Sequence, residues 1–186
     1  MDKAEILRYM RTSSGVKDEG VLALADRAAE MIEQNAAPKT LYRIFDCTVG
    51  ENSVTIGGKV FASTRLSQHL KGCKRAVIFG ATLGTQCDRL INAAATTDVA
   101  LAMALQAAGA CKIEEVCDEL EQRIIAEHGV KLRSRYSPGY YDLDISQQSD
   151  VFELVELTKR IGVTLTDTYE MLPTKSVTAI IGIEND

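Results

Sequence analysis

Histidine is scarce in this chain: only His69 and His128 occur. Neither sits in an HExxH or His-x-His setting, so no protein-built metal site is expected. The five cysteines, at 47, 73, 87, 111 and 117, include no CxxC pair. Their odd number and irregular spacing fit reduced, mostly buried thiols rather than a disulfide framework or a zinc site. Cys111 and Cys117, six apart on a helix, lie about 120° apart around its axis and are not expected to act together. No apolar run approaches the roughly 20 residues of a membrane span. With a net charge of −5 and no basic stripe, the chain lacks a nucleic-acid footprint. Met1-Asp2-Lys3-Ala4-Glu5 lacks the basic flank and apolar block of a signal peptide, so a cytoplasmic protein is expected. GxGxxG and GxxxxGK[ST] are both missing. Gly80-Ala81-Thr82-Leu83-Gly84-Thr85, between a strand and a helix, is therefore read first as a structural tight turn, with a nucleotide-phosphate site as the alternative, and it could still form one wall of a ligand cleft.

What is present suits one globular domain of 186 residues. A short helix is expected over residues 4–10, ended by Thr12-Ser13-Ser14-Gly15. A second follows over 18–35, with Val21, Leu24, Ala25, Ala28, Met31 and Ile32 on a 3.6-residue period. Residues 40–45 read as a strand, 54–56 and 60–61 as a hairpin, 64–70 as a helix and 75–79 as a strand. A helix starts near Gln86. The clearest element is a helix over 98–128, capped by Thr97 or Asp98 and ended by Gly129. At 1.5 Å per residue it is about 45 Å long. Leu101, Leu105, Gly109, Ile113, Val116, Leu120 and Ile124 form its seam, and Gly109 there suggests a backbone or a ligand passing close by. Glu119–Arg123 is read as an exposed pair on this helix.

After a strand at 130–133, a helix over 151–161 is capped by Ser149-Asp150 and stopped at Gly162. Strands at 166–172 and 177–183 are joined by Pro173-Thr174-Lys175-Ser176, a connection that suits an antiparallel hairpin. Helices and short strands without regular βαβ alternation predict an α+β fold. Its sheet is twisted and largely antiparallel, with flanking helices and one long central helix.

The chemistry gathers at Arg135-Tyr136-Ser137-Pro138-Gly139-Tyr140. Pro138 fixes one φ and Gly139 frees the next, so the chain turns there. A guanidinium entering the turn can hold a carboxylate bidentately, and tyrosine faces can cover a flat ligand. The plain alternative is a surface turn with a solvated arginine. Glu114, at the edge of the long helix's seam, is either half-solvated or facing a cation.

Arg135-x-x-x-Gly139-Tyr140 is followed by a helix holding Phe152-Glu153-Leu154, then Gly162-Val163-Thr164-Leu165-Thr166, Met171-x-Pro173 and Lys175-Ser176-Val177. In that order these resemble the C-terminal activation (reactivation) domain of cobalamin-dependent methionine synthase. The likeness is strongest over 132–183. It is weaker over 42–128, where Phe79-x-Ala81-Thr82-Leu83-Gly84 and the Glu114 helix are similar to the freestanding version of that domain. The resemblance implies an N-terminal helical extension over 1–38 and an S-adenosylmethionine-binding activation domain over 39–186. It implies that Arg135 holds the methionine carboxylate. The backbone around Ser137, Pro138, Gly139 and Tyr140 would hold the adenosine, and Glu114, or else Glu115, would receive the α-ammonium group.

Such a domain is a component of a methyltransferase system rather than a complete enzyme. It supports reductive methylation of cob(II)alamin to methylcobalamin, with the electron from a flavodoxin- or ferredoxin-like donor. No catalytic residue is required, because the sulfonium already activates the methyl group and proximity supplies most of the rest. The Asp-x-His-x-x-Gly mark of a cobalamin-carrying domain is missing, so the corrinoid is expected on a separate methyltransferase, such as a short methionine synthase. Tyr141-Asp142-Leu143-Asp144 replaces a proline- and cysteine-containing stretch of the large enzyme. A non-catalytic assembly protein that has kept only the fold is the alternative. The Lys175-Ser176 turn is a further candidate for a ligand wall.

Overall fold

In the computed structural model, which describes residues 1–12 and 17–184, helix α1 (Lys3–Tyr9) is capped by the Asp2 carboxylate on the Ala4 N–H. Helix α2 (Glu19–Asn35) is capped likewise by Asp18, on Gly20 and Val21. Both carboxylates satisfy amides that have no partner within a first turn. Of the break expected at Thr12-Ser13-Ser14-Gly15, residues 13–15 lie outside the described residues. Strands β1 (Lys39–Val49), β2 (Ser53–Ile56) and β3 (Lys59–Ala62) precede helix α3 (Thr64–His69). Next come β4 (Arg75–Thr82), α4 (Thr85–Thr97) and α5 (Val99–His128). A 3-10 turn (Ile145–Gln147) leads into α6 (Gln148–Val155) and α7 (Leu157–Ile161). Strands β5 (Thr164–Leu165), β6 (Met171–Leu172) and β7 (Ser176–Ile183) complete the described chain.

The main sheet runs β3-β2-β1-β4-β7, and every neighbouring pair is antiparallel. Side chains alternate across a strand, and in β4 and β7 both faces are covered. Val77, Phe79, Ala81, Ala179, Ile181 and Ile183 face a core shared with α1, α2, α4 and α5. Ala76, Ile78 and Ile180 face a second core with α6, α7, Val163 and Leu165 at β5, and the β2–β3 hairpin. Burial on both sides explains why these two strands read as nearly unbroken apolar runs. The fold is therefore α+β and antiparallel around one long helix. That helix is capped by Asp98, ends at Gly129 (φ 62°), and buries all seven seam residues.

Several local expectations are corrected. β1 runs on to Val49 because Cys47, Thr48 and Val49 pair with β2 after the β4 pairing ends at Asp46. β4 continues through Gly80, Ala81 and Thr82, which keep pairing with β7, so the turn expected from Gly80 begins later. Gly80 is there for packing: a Cβ on it would lie 2.7 Å from Leu157 Cδ2. Residues 130–133 form no strand; Leu132 makes only an isolated bridge to Ile183. The single helix expected over 151–161 is two, divided at Glu156 (φ 54°), and it starts earlier, at Gln148.

The hairpin expected from 166–183 does not form. Thr166 and Glu170 close a turn with Tyr169 at φ 65°, so β6 pairs with β5 while β7 pairs with β4. The connection after Pro173 is held instead by Asp88 of α4, which accepts from Thr174 N and Oγ1, each at 2.7 Å. On α5, Arg123 reaches Glu127 (3.9 Å) and Thr40 (3.1 Å) rather than Glu119. What packs closest to Gly109 is not another backbone but the Lys175 side chain, whose Cε lies 3.0 Å from where a Cβ would stand. Among the described residues no helix is long and apolar enough to cross a membrane.

Candidate ligand site

After Gly129 the chain returns along the free edge of β7. Tyr136 N donates to Ile180 O (3.0 Å) and Ile180 N to Tyr136 O (2.8 Å), while Ser137 Oγ donates to Thr178 O (2.6 Å). Side chains alternate in this extended stretch. Tyr136 is buried in the α6–α7 core, so Arg135 is turned the other way, onto α5. The Pro138-Gly139 turn follows, closed by Tyr140 N to Ser137 O (3.2 Å) and Gly139 N to Leu143 O (2.8 Å). Gly139 takes φ 89°, which favours glycine. The loop is fastened at its far side by Asp142, whose carboxylate accepts from Ser63 Oγ (2.5 Å) and from the Thr64 and Arg65 amides at the start of α3. The Ser63 bond first, then those amides, holds the Asp142 carboxyl below its usual value.

Three carboxylates of α5 meet the Arg135 guanidinium. Nη2 donates to Glu114 Oε2 (2.9 Å) and to Asp118 Oδ1 (2.8 Å), and Nη1 lies 3.1 Å from Glu121 Oε1. Spacings of four and three put the three acids on one helix face. The Glu121 contact is an ion pair without hydrogen-bond geometry, and both of its atoms are buried. Burial works against the charge on Arg135, but the pull of Glu121, Glu114 and Asp118 outweighs it and raises the pKa. Glu121 is different. Burial, aided by its like-charged neighbours, lifts its pKa despite Arg135, because three acids share one cation. Nearby, burial pushes the Cys117 thiol up to about 12, leaving it unreactive.

Arg135 and Glu114 stand on the wall of a cavity of about 420 Å³, within the range of small-ligand sites. Ser137, Pro138 and Tyr140 also line it, so five of the six sequence-predicted site residues come together there. Gly139 is the exception. It turns the chain behind the cavity, and the space left by its missing Cβ is taken by Ile145 Cδ1 at 3.1 Å. Glu115 faces elsewhere, toward Lys112 at 2.9 Å. Of the Lys175-Ser176 pair, only Ser176 reaches the cavity, and no residue of the 80–85 stretch does.

Tyr169, Met171, Thr178 and Gln148 also line the cavity, beyond the residues expected from the sequence. Gln148 carried a signal, being a polar residue in register with buried Val151, Phe152 and Val155. Its amide donates to Thr178 Oγ1 (2.5 Å). Tyr169 was hidden because its turn reads as strand. Asp118 and Glu121 were also passed over, although their spacing from Glu114 was visible. The cavity thus joins one cation, one carboxylate and several aromatic side chains. That combination suits a flat ligand carrying a carboxylate and a positive charge.

The sequence over residues 83–186 matches the family model described as "Vitamin B12 dependent methionine synthase, activation domain". No curated protein matches the chain. Among solved structures, the MetH reactivation domain bound to AdoHcy superposes with a TM-score of 0.73 at 17% identity, covering 100% of this chain and 74% of that one. At that identity the likeness carries the fold, with its helices and antiparallel sheet around one long helix.

Proposed function

The chain belongs to the activation-domain family of vitamin B12 dependent methionine synthase, and from that premise we propose that it binds S-adenosylmethionine in the Arg135 cavity. It would act as an activation subunit for cobalamin carried by a separate methyltransferase. One observation carries this reading: Arg135 and Glu114 stand 2.9 Å apart on the wall of one cavity. A zwitterionic amino-acid tail needs such a pair, a guanidinium for its carboxylate and a carboxylate for its ammonium. Tyr136, Tyr140, Tyr141 and Tyr169 offer ring faces for the adenine, and Ser137 and Pro138 offer backbone. AdoHcy in the MetH reactivation domain has the same nucleoside and amino-acid tail without the methyl group.

S-adenosylmethionine supplies an activated methyl group, so the chain's own task is to bind, orient and desolvate rather than to move protons. The low-potential electron would come from a flavodoxin- or ferredoxin-like protein. Work in the cytoplasm agrees with five free thiols. The test combines the protein with a cob(II)alamin-loaded methyltransferase lacking this domain, S-adenosylmethionine and a low-potential reductant, and follows methylcobalamin by absorbance. Formation that requires both the protein and the methyl donor is expected. No formation with several corrinoid partners, ligand binding being intact, would overturn activation and leave an assembly role.

A further inference from the structure

The arginine assigned to the ligand's carboxylate is already engaged. Its Nη2 is shared between Glu114 and Asp118, and its Nη1 faces the buried Oε1 of Glu121. A carboxylate gripped bidentately needs two N–H groups on one edge of the guanidinium. Any grip that uses Nη2 competes with both acids there. The three acids are not equivalent. Glu114 lines the cavity and can pass from Arg135 to the ligand's ammonium. Glu121 is 20% exposed, so its charge stays beneath the arginine as a fixed counter-ion. Asp118 is 67% exposed and does not line the cavity. Together with Glu114 it borders a second cavity, of about 630 Å³, across the α5 ridge.

We propose that Asp118 is a positioning residue that latches Arg135 toward α5 in the empty site and is released when the ligand's carboxylate takes its place on Nη2. The inference rests on the ligand reading above and adds to it a competitor that touches no ligand. On binding, Arg135 exchanges Asp118 and Glu114 for the carboxylate of the ligand, and Glu114 takes the ammonium. Arg135 and Glu114 each keep an opposite charge while Asp118, 67% exposed, is left to solvent, and only a zwitterionic tail satisfies both Arg135 and Glu114. A ligand lacking either group leaves one of them without its counter-charge.

The test is equilibrium binding of S-adenosylmethionine to the whole protein by calorimetry, for the natural sequence, Asp118→Asn and Asp118→Glu. Exposed ion pairs are weak, so Asp118→Asn is expected to bind about two- to fivefold tighter, and Asp118→Glu to return to the natural affinity. The gain should shrink as ionic strength rises, because salt already loosens the latch of the natural protein. A merely structural Asp118 would show neither the tightening nor the salt dependence. Binding by the natural protein that Asp118→Asn leaves unchanged or weakens, with the melting temperature preserved, would overturn the latch alone. Absence of binding to all three proteins would overturn the ligand reading, and the latch with it.

Discussion

Arg135 owes its direction to its neighbour. Tyr136 is fixed in the core by its bridge to Ile180, and the alternation of an extended chain then aims Arg135 at α5. That aim was not legible in the sequence, which offered a solvated arginine equally well. Glu114 was legible as a carboxylate at a seam edge, but Asp118 and Glu121 were not distinguished from an ordinary wet helix face. Only the returning chain makes them partners. Glu121 gives a prediction with a definite sign. Burial raises its pKa on folding. A group raised in this way contributes stability that is complete below its unfolded pKa and lost as pH rises through the folded one. Glu121→Gln removes that dependence. The unfolding free energy of the natural protein minus that of the variant is expected to fall from about pH 4 to about pH 7 in denaturant titrations. A rise over that interval would mean that attraction to Arg135 outweighs burial.

Among the elements, those with their own caps and period were read well. α2 and α5 begin at Asp18 and Asp98 and end where expected, since caps and seams are written locally. Elements that depend on distant partners were read poorly. Nothing near Gly80 says that β4 continues past it, because the strand is extended by its pairing with β7 and the glycine is set by Leu157 in the second core. Likewise the fate of 166–183 turns on Asp88 holding Thr174 from another helix. The Gly80–Leu157 contact can be tested. Gly80→Ala is expected to destabilise the protein by about 1–3 kcal/mol, the usual range for overpacking a filled core. Shortening Leu157 to alanine in the same chain should relieve part of the added cost, measured from urea midpoints as a double-mutant cycle. Strict additivity of the two changes would remove this explanation for the glycine.

For the whole molecule, the site draws on parts far apart in sequence. α5 supplies the acids, the 135–141 stretch the guanidinium and turn, α6 the buried Gln148, and β7 the Thr178 that Gln148 and Ser137 both hold. Two cores on opposite faces of one sheet set these pieces in register. The overall class was legible because antiparallel connections and one 30-residue helix leave few arrangements. The cavity's full lining was not, since it is made where several separate parts of the chain meet. Calorimetric titration of S-adenosylmethionine into the natural protein and into Arg135→Ala, with circular dichroism to verify folding, tests the central claim most directly. Saturable binding at one site, weakened at least about tenfold by the substitution, is the expected result for a lost charge-assisted contact. Equal affinity in a folded Arg135→Ala protein, or no binding to the natural one, would contradict it.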